Sequence, residues 1–214
     1  MRDNFIFDSS LVLYLPLYQL DGASFMSRDA YGHLCTVTGA TWGIQGRIFD
    51  GTDDLINCGN KTIFDLDTYA TILMWIKSDA AIAEYDTFIG RESSTTAGAK
   101  WMFWYRNGTI SVTIHDGTTS DEVYSSAWTP STTNFEQICF TKSGNDYAFY
   151  LNGQSHGTDI ATVSTVAVNY QLYIGAAKER LYFPGIIGEV CFYARQLSPQ
   201  EIQHNYEATK WRYI

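Results

Sequence analysis

Phe135-Glu-Gln-Ile-Cys-Phe-Thr-Lys-Ser-Gly-Asn-Asp-Tyr-Ala-Phe-Tyr-Leu-Asn-Gly153 decides the fold. Phe135–Thr141 reads with a period of two, Ser143-Gly144-Asn145 turns the chain, and Asp146–Leu151 resumes the alternation. That is strand, short turn, strand, and Asn152-Gly153 makes a second turn. The pattern spreads outward. Asn107-Gly108 separates Trp101–Arg106 from Thr109–His115, a hairpin whose two central residues need positive φ. Further strands are expected at Val12–Leu17, Gly46–Phe49, Leu55–Cys58, Thr71–Lys77, Thr87–Arg91, Gln171–Gly175 and Ile186–Tyr193. Turn signals at this spacing predict an all-β, two-sheet antiparallel sandwich. The stretches Ser93–Ala99 and Gly157–Val166 read as loops.

One helix is expected, near the C-terminus. Ser198-Pro199-Gln-Glu201 is a capping box with Pro at the first helical position, and Leu197 and Ile202 form the hydrophobic staple. Ile202 and Tyr206 share a face that can dock on the sandwich. No repeat or linker divides the 214 residues, so residues 1–214 are read as one domain.

Composition narrows the function. The chain has 14 Lys+Arg against 23 Asp+Glu, a net charge of −9, with no basic cluster. Nucleic-acid partners are disfavoured, because phosphate neutralisation dominates that affinity. The longest apolar run, Leu11–Leu17, is far too short to span a bilayer, so no membrane insertion is expected. No basic-then-apolar leader is visible at Met1. Cys35, Cys58, Cys139 and Cys191 sit in strand-like runs without metal-ligand spacing. They read as free buried thiols, with one disulfide, first of all Cys35–Cys58, as the competing reading.

Four segments, in order, resemble the laminin-G-like, concanavalin-A-like jelly-roll family. They are Leu11–Leu17, Ser27–His33, Gly46–Asp54 together with Tyr147–Gly153, and Gly185–Ile202. The resemblance implies a jelly roll covering nearly the whole chain. It also implies recognition of a glycan or polysaccharide and a Ca²⁺ ion held by loop oxygens. Asp29, Asp50, Asp53, Asp54 and Glu189 are the oxygen donors within those motifs. The closing strand departs from the family pattern: Ile187-Gly188-Glu189-Val190 has Gly where the family usually has Asp.

Glycan cleavage needs two carboxylates across a cleft, and the Glu-x-Asp-x-x-Glu and Glu-x-Asp-x-Glu patterns of the family's glucanases are absent. Asp121 and Glu122 are adjacent and therefore face opposite sides of a strand, and Glu189 stands alone. The chain is read as a non-enzyme. For sugar contact the candidates are aromatic. Lys100–Arg106 places Trp101, Phe103 and Tyr105 on one face and Met102, Trp104 and Arg106 on the other. One set fills the core, and the other lies on the outer face or under a loop. Trp128, Tyr124, Tyr182 and Tyr31 join the candidates as loop-like rings, while Trp42 and Trp75 read as core. The expected role is non-catalytic recognition on an extracellular, virion or cell surface. Self-association or protein–protein contact in a viral or adhesion component is the alternative.

Overall fold

The computed structural model describes residues 4–79, 82–92, 100–177 and 181–214. The Ser93–Ala99 stretch lies outside the described residues. In chain order the strands are β1 (Leu11–Pro16), β2 (Ser24–Met26), β3 (Leu34–Thr38), β4 (Thr41–Gly43), β5 (Gly46–Asp50), β6 (Leu55–Asn57), β7 (Tyr69–Ser78) and β8 (Thr87–Glu92). They continue with β9 (Lys100–Arg106), β10 (Thr109–His115), β11 (Ser120–Ala127), β12 (Glu136–Ser143), β13 (Asp146–Leu151), β14 (Gln154–Ile160), β15 (Leu172–Ile174) and β16 (Pro184–Tyr193), and helix α1 spans Pro199–Thr209.

Two antiparallel sheets of eight strands face each other. One runs β14-β13-β12-β7-β16-β5-β4, with β1 also on β16; the other runs β11-β10-β9-β8-β15-β6-β3-β2. Alternation sends Ile72, Met74, Ile76, Phe140, Phe149, Val190 and Phe192 inward from the first sheet. Trp101, Phe103, Ile110, Val112, Ile114 and Val123 meet them from the second. Phe103 and Phe140 touch edge to face at 4.9 Å across the layers; such a contact adds roughly 0.5–1.5 kcal/mol beyond its buried area.

The first sheet is apolar on its outer face too. Leu11, Tyr14, Leu73, Cys139, Tyr150, Cys191 and Tyr193 form a stripe beneath Leu197 and Ile202. This explains why Ile72-Leu-Met-Trp-Ile76 lacks alternation: helix α1 and the C-terminal tail cover that side. Trp75 is buried here rather than between the sheets, stacked under Tyr206 and Tyr213, and its Nε1 donates to Thr209 Oγ1 at 2.9 Å. The capping box is formed: Glu201 N donates to Ser198 Oγ, and Ser198 N donates to Glu201 Oε2. Arg195 and the Ser198 N–H together hold the Glu201 carboxyl down at about 2.

Three expectations change. Gly157–Val166 is strand in its first part, because β14 runs through Ile160 alongside β13. Trp42 is 40% exposed on edge strand β4, tethered by Nε1 donation to Tyr18 O, because nothing layers over that edge. Trp128 is 5% exposed: its ring turns inward against Phe88 and Tyr105, and its Nε1 donates to Glu136 Oε1. All four cysteines are buried free thiols, and the Cys35 contact together with burial pushes the Cys58 thiol up.

Candidate functional site

Among the described residues, no helix covers the outer face of the second sheet. On β9 the outward residues are Lys100, Met102, Trp104 and Arg106; register places Thr113 of β10 opposite Met102 and Glu122 of β11 opposite Thr113. Lys100, Met102, Trp104, Arg106, Thr113, Ser120, Asp121 and Glu122 line a hollow of about 360 Å³ there. The Asn107-Gly108 turn positions it, with φ of 52° and 72° at the two central residues.

Its geometry is an ion pair beside two tilted rings. Arg106 Nη1 lies 3.2 Å from Glu122 Oε2. Tyr124 OH donates to the same oxygen at 2.7 Å, and Thr113 Oγ1 donates to Glu122 Oε1 at 3.2 Å. Burial and the Glu122 contact push the Tyr124 hydroxyl up to about 12. The Arg106 guanidinium sits over the rings of Tyr85 (4.8 Å) and Trp104 (5.5 Å), which are themselves 5.2 Å apart. Trp104 is 4% exposed and packs with Met102, Ala177 and the half-buried Leu181. Its Nε1 and the Nε of Arg106 are buried donors without an acceptor among the described residues.

Tyr85 holds φ of 80°, a conformation costly for a bulky residue. Strain of this kind concentrates at functional loops. The loop is fastened by Ala83 N donating to Asp86 Oδ2 at 2.7 Å. Burial pushes the Asp86 carboxyl up to about 6, against that hydrogen bond. A raised carboxyl contributes stability that is complete below its unfolded value and is lost as pH rises through about 6. Asp86→Asn keeps an acceptor for Ala83. It is expected to raise the melting temperature at pH 7.5 and leave it unchanged at pH 4; equal shifts at both would refute this assignment.

The candidates fall into separate places. Trp104 and Tyr124 are brought together here. Trp101 is inside the core, donating from Nε1 to Phe64 O, so it is withdrawn as a ligand contact. Trp128 is withdrawn for the same reason. Tyr105 points inward and is half-buried against Trp128; Tyr182 is half-buried before β16. Tyr31 is exposed elsewhere. Arg106, Lys100 and Thr113 carry a parity signal on strands already expected, whereas Tyr85 carries none.

The oxygen donors also divide. Asp50, Asp53 and Asp54 come together, with one carboxylate oxygen from each within 4.8 Å of the others. Asp50 Oδ1 accepts from Thr52 N and Asp53 N, and Asp54 Oδ2 accepts from Asp50 N. Burial, followed by the charges of Asp50 and Asp53, pushes Asp54 up, a load that a cation would relieve. Asp29 does not join them: it accepts from the N–H groups of Tyr14, Tyr31 and Gly32. Glu189 does not either. Asp50 pairs with Pro184 on β16, and Glu189 is five residues farther along that strand, roughly 16 Å away. It is buried against Arg212 at 3.0 Å.

A family model for the concanavalin A-like lectin/glucanases superfamily matches residues 50–203. No curated protein sequence matches the chain. Among solved structures, the botulinum neurotoxin serotype D binding domain aligns with a TM-score of 0.69 and 16% identity, over 94% of this chain and 52% of that one. The binding domain of Paraclostridial Mosquitocidal Protein 1 aligns at 0.70 and 13%, over 92% and 52%. This chain thus spans about half the length of those toxin binding domains. Domain 4 of AbnA, a GH43 extracellular arabinanase from Geobacillus stearothermophilus, in complex with arabinotriose, aligns at 0.72 and 14%, over 92% and 98%. At such identities the likeness is one of fold.

Proposed function

This chain belongs to the concanavalin A-like lectin/glucanases superfamily, and on that premise we propose that it recognises a glycan without cleaving it. The proposed surface is the outer face of the second sheet, on an extracellular or particle-surface protein. One observation carries the reading: the Tyr85–Trp104–Arg106 cluster stands beside the Arg106–Glu122 pair, with the hydroxyls of Thr113 and Tyr124 turned to the same carboxylate. The exposed Tyr85 ring suits a sugar C–H patch, and the charged pair suits sugar hydroxyls. The arabinotriose complex of the arabinanase domain supports it by analogy of fold.

Of the acids around the hollow, Glu122 is held by Arg106, Tyr124 and Thr113, Asp121 by Thr162, and Glu92 by Lys100. Carboxylates engaged in this way support binding over cleavage. Calcium enters the proposal as an accessory at Asp50, Asp53 and Asp54, which would supply hard carboxylate oxygens near the sandwich edge.

The test is a glycan array followed by calorimetry with and without calcium. Arg106→Lys and Tyr124→Phe are each expected to weaken binding about tenfold, the scale of one lost hydrogen bond to a charged group. No binding across broad neutral and acidic arrays would remove the reading.

A second reading has its own observation. Ile44 is 84% exposed at a hairpin tip, Trp211 is 61% exposed, and both line one hollow with Tyr18 and Gln45. We propose protein–protein contact there, self-association included. If it holds, light scattering will show an oligomer that Ile44→Asp dissociates; a monomer at all concentrations counts against self-association.

A further inference from the structure

We propose that Cys35 and Cys58 are a redox pair, closed into a disulfide between β3 and β6 by a small-molecule disulfide, whatever ligand the sandwich takes. β3 and β6 run antiparallel with Thr36 opposite Asn57 and Val37 opposite Ile56, so the next pair in that register is Cys35 with Cys58. Directly opposite residues point to the same face, and both thiols lie in the core between the sheets, 0% and 1% exposed. The pair is of the non-hydrogen-bonded kind. Cys58 N donates away from β3, to Leu172 O on β15, and Val37, in phase with Cys35, donates away from β6, to Ala23 O. Opposed residues of this kind have Cα atoms roughly 4.5 Å apart, inside the disulfide range of about 4.4–6.8 Å. The thiols already touch: a hydrogen bond with Cys35, ahead of burial, pushes the Cys58 thiol up.

Cys139 and Cys191 lack this geometry. From β12 and β16 they face Leu73 of β7 from its two sides. Two strand spacings put their Cα atoms roughly 10 Å apart, past the limit of about 7 Å for a bridge. Both lie on the outer face of the first sheet, under Leu197 and Ile202, away from the core that holds Cys35 and Cys58. Closure takes two exchanges. One cysteine thiolate attacks a sulfur of the reagent, forming a mixed disulfide and releasing a reagent thiolate. The other cysteine thiolate then attacks the protein sulfur of that mixed disulfide, forming the Cys35–Cys58 bond and releasing the second reagent thiolate. The two cysteines give up two electrons and two protons, and the reagent is reduced to two thiols. Burial shuts the reagent out of the closed fold, so exchange runs as the chain folds or as the β3 edge opens. That edge is thinly held, since only the three-residue β2 lies outside β3. The bond closes a loop that carries β4, β5 and the Asp50–Asp54 turn.

The experiment treats the full chain with oxidised glutathione in two arms, one native and one refolding from urea, then alkylates it in denaturant and maps the peptides by mass. In the refolding arm two of the four thiols are expected to be lost, with Cys35 joined to Cys58 and with Cys139 and Cys191 alkylated. The native arm should reach the same product more slowly, and faster in urea below the unfolding transition. Dithiothreitol should restore all four thiols. The linked protein is expected to melt at least about 5 °C above the reduced one, because the bond restricts the unfolded chain. Hydrogen exchange is a second readout that needs no variant: the amides of β3 should exchange more slowly once the bond is closed. Four free thiols in both arms, a bond to Cys139 or Cys191, or glutathione left on Cys35 and Cys58 without a bond between them would each overturn the pair. A linked protein that melts below the reduced one would show that β3 and β6 do not stand in this register.

Discussion

Arg212→Met is expected to destabilise the fold by about 3–5 kcal/mol, because it leaves a carboxylate buried without its cation. Glu189 on β16 and Arg212 in the C-terminal tail have side chains only 3% and 7% exposed, joined at 3.0 Å. Tyr14 OH also reaches Glu189, at 3.4 Å. Methionine also removes the guanidinium from over the rings of Tyr18 (4.7 Å) and Trp211 (5.1 Å), so two cation–ring contacts are lost with the charge. The double variant Glu189→Gln/Arg212→Met removes both charges and is expected to recover most of the loss. Urea melts of the three proteins decide it through their midpoints at constant slope. A double variant no more stable than the single would show that Glu189 is not held by this pairing.

That pair also explains where sequence reading of the site stopped. Gly188 stands where the family usually has Asp, and the reason is in the tail: a Cβ at Gly188 would lie 2.5 Å from the ring of Tyr213. The tail occupies the space in which a carboxylate would stand, and Glu189 next to it is turned to Arg212 instead of a metal. Sequence spacing cannot bring residues 189 and 212 together, because the contact forms only after α1 folds back over the sheet. The fold itself was legible because its signals are local: the Asn-Gly turns, the Ser198–Glu201 box and the alternation of Phe135–Leu151. On β9 the same alternation separated Trp101 from Trp104, and packing then decided which face was the core. Trp128 and Trp42 depart from expectation because the burial of each depends on what covers it. Trp128 follows β11 and turns inward, while Trp42 sits on an edge strand that nothing covers. Tyr85 was silent because its role comes from a strained backbone and from neighbours on β9.

Gly46→Ala is expected to cost roughly 3–5 kcal/mol, the sum of a backbone conformation closed to side chains and a clash that cannot relax. Gly46 has φ of 149°, and a Cβ there would fall 2.2 Å from the carbonyl oxygen of Ile187 and 2.7 Å from Cα of Gly188. Both are backbone atoms of β16, a central strand of the first sheet, so neither can swing aside as a side chain would. Gly108 provides the control. Its φ is 72°, and nothing lies within 4 Å of a Cβ built on it. Gly108→Ala therefore carries only the left-handed penalty, about 1–2 kcal/mol. Chemical melts of the two variants separate these causes. If the Gly46 variant loses no more than the Gly108 variant, β5 does not approach β16 as closely as described. The start of the Gly46–Asp54 motif would then be a turn preference alone. A larger loss at Gly46 ties that glycine to the backbone of the closing strand, the contact through which two distant motifs of the family share one sheet.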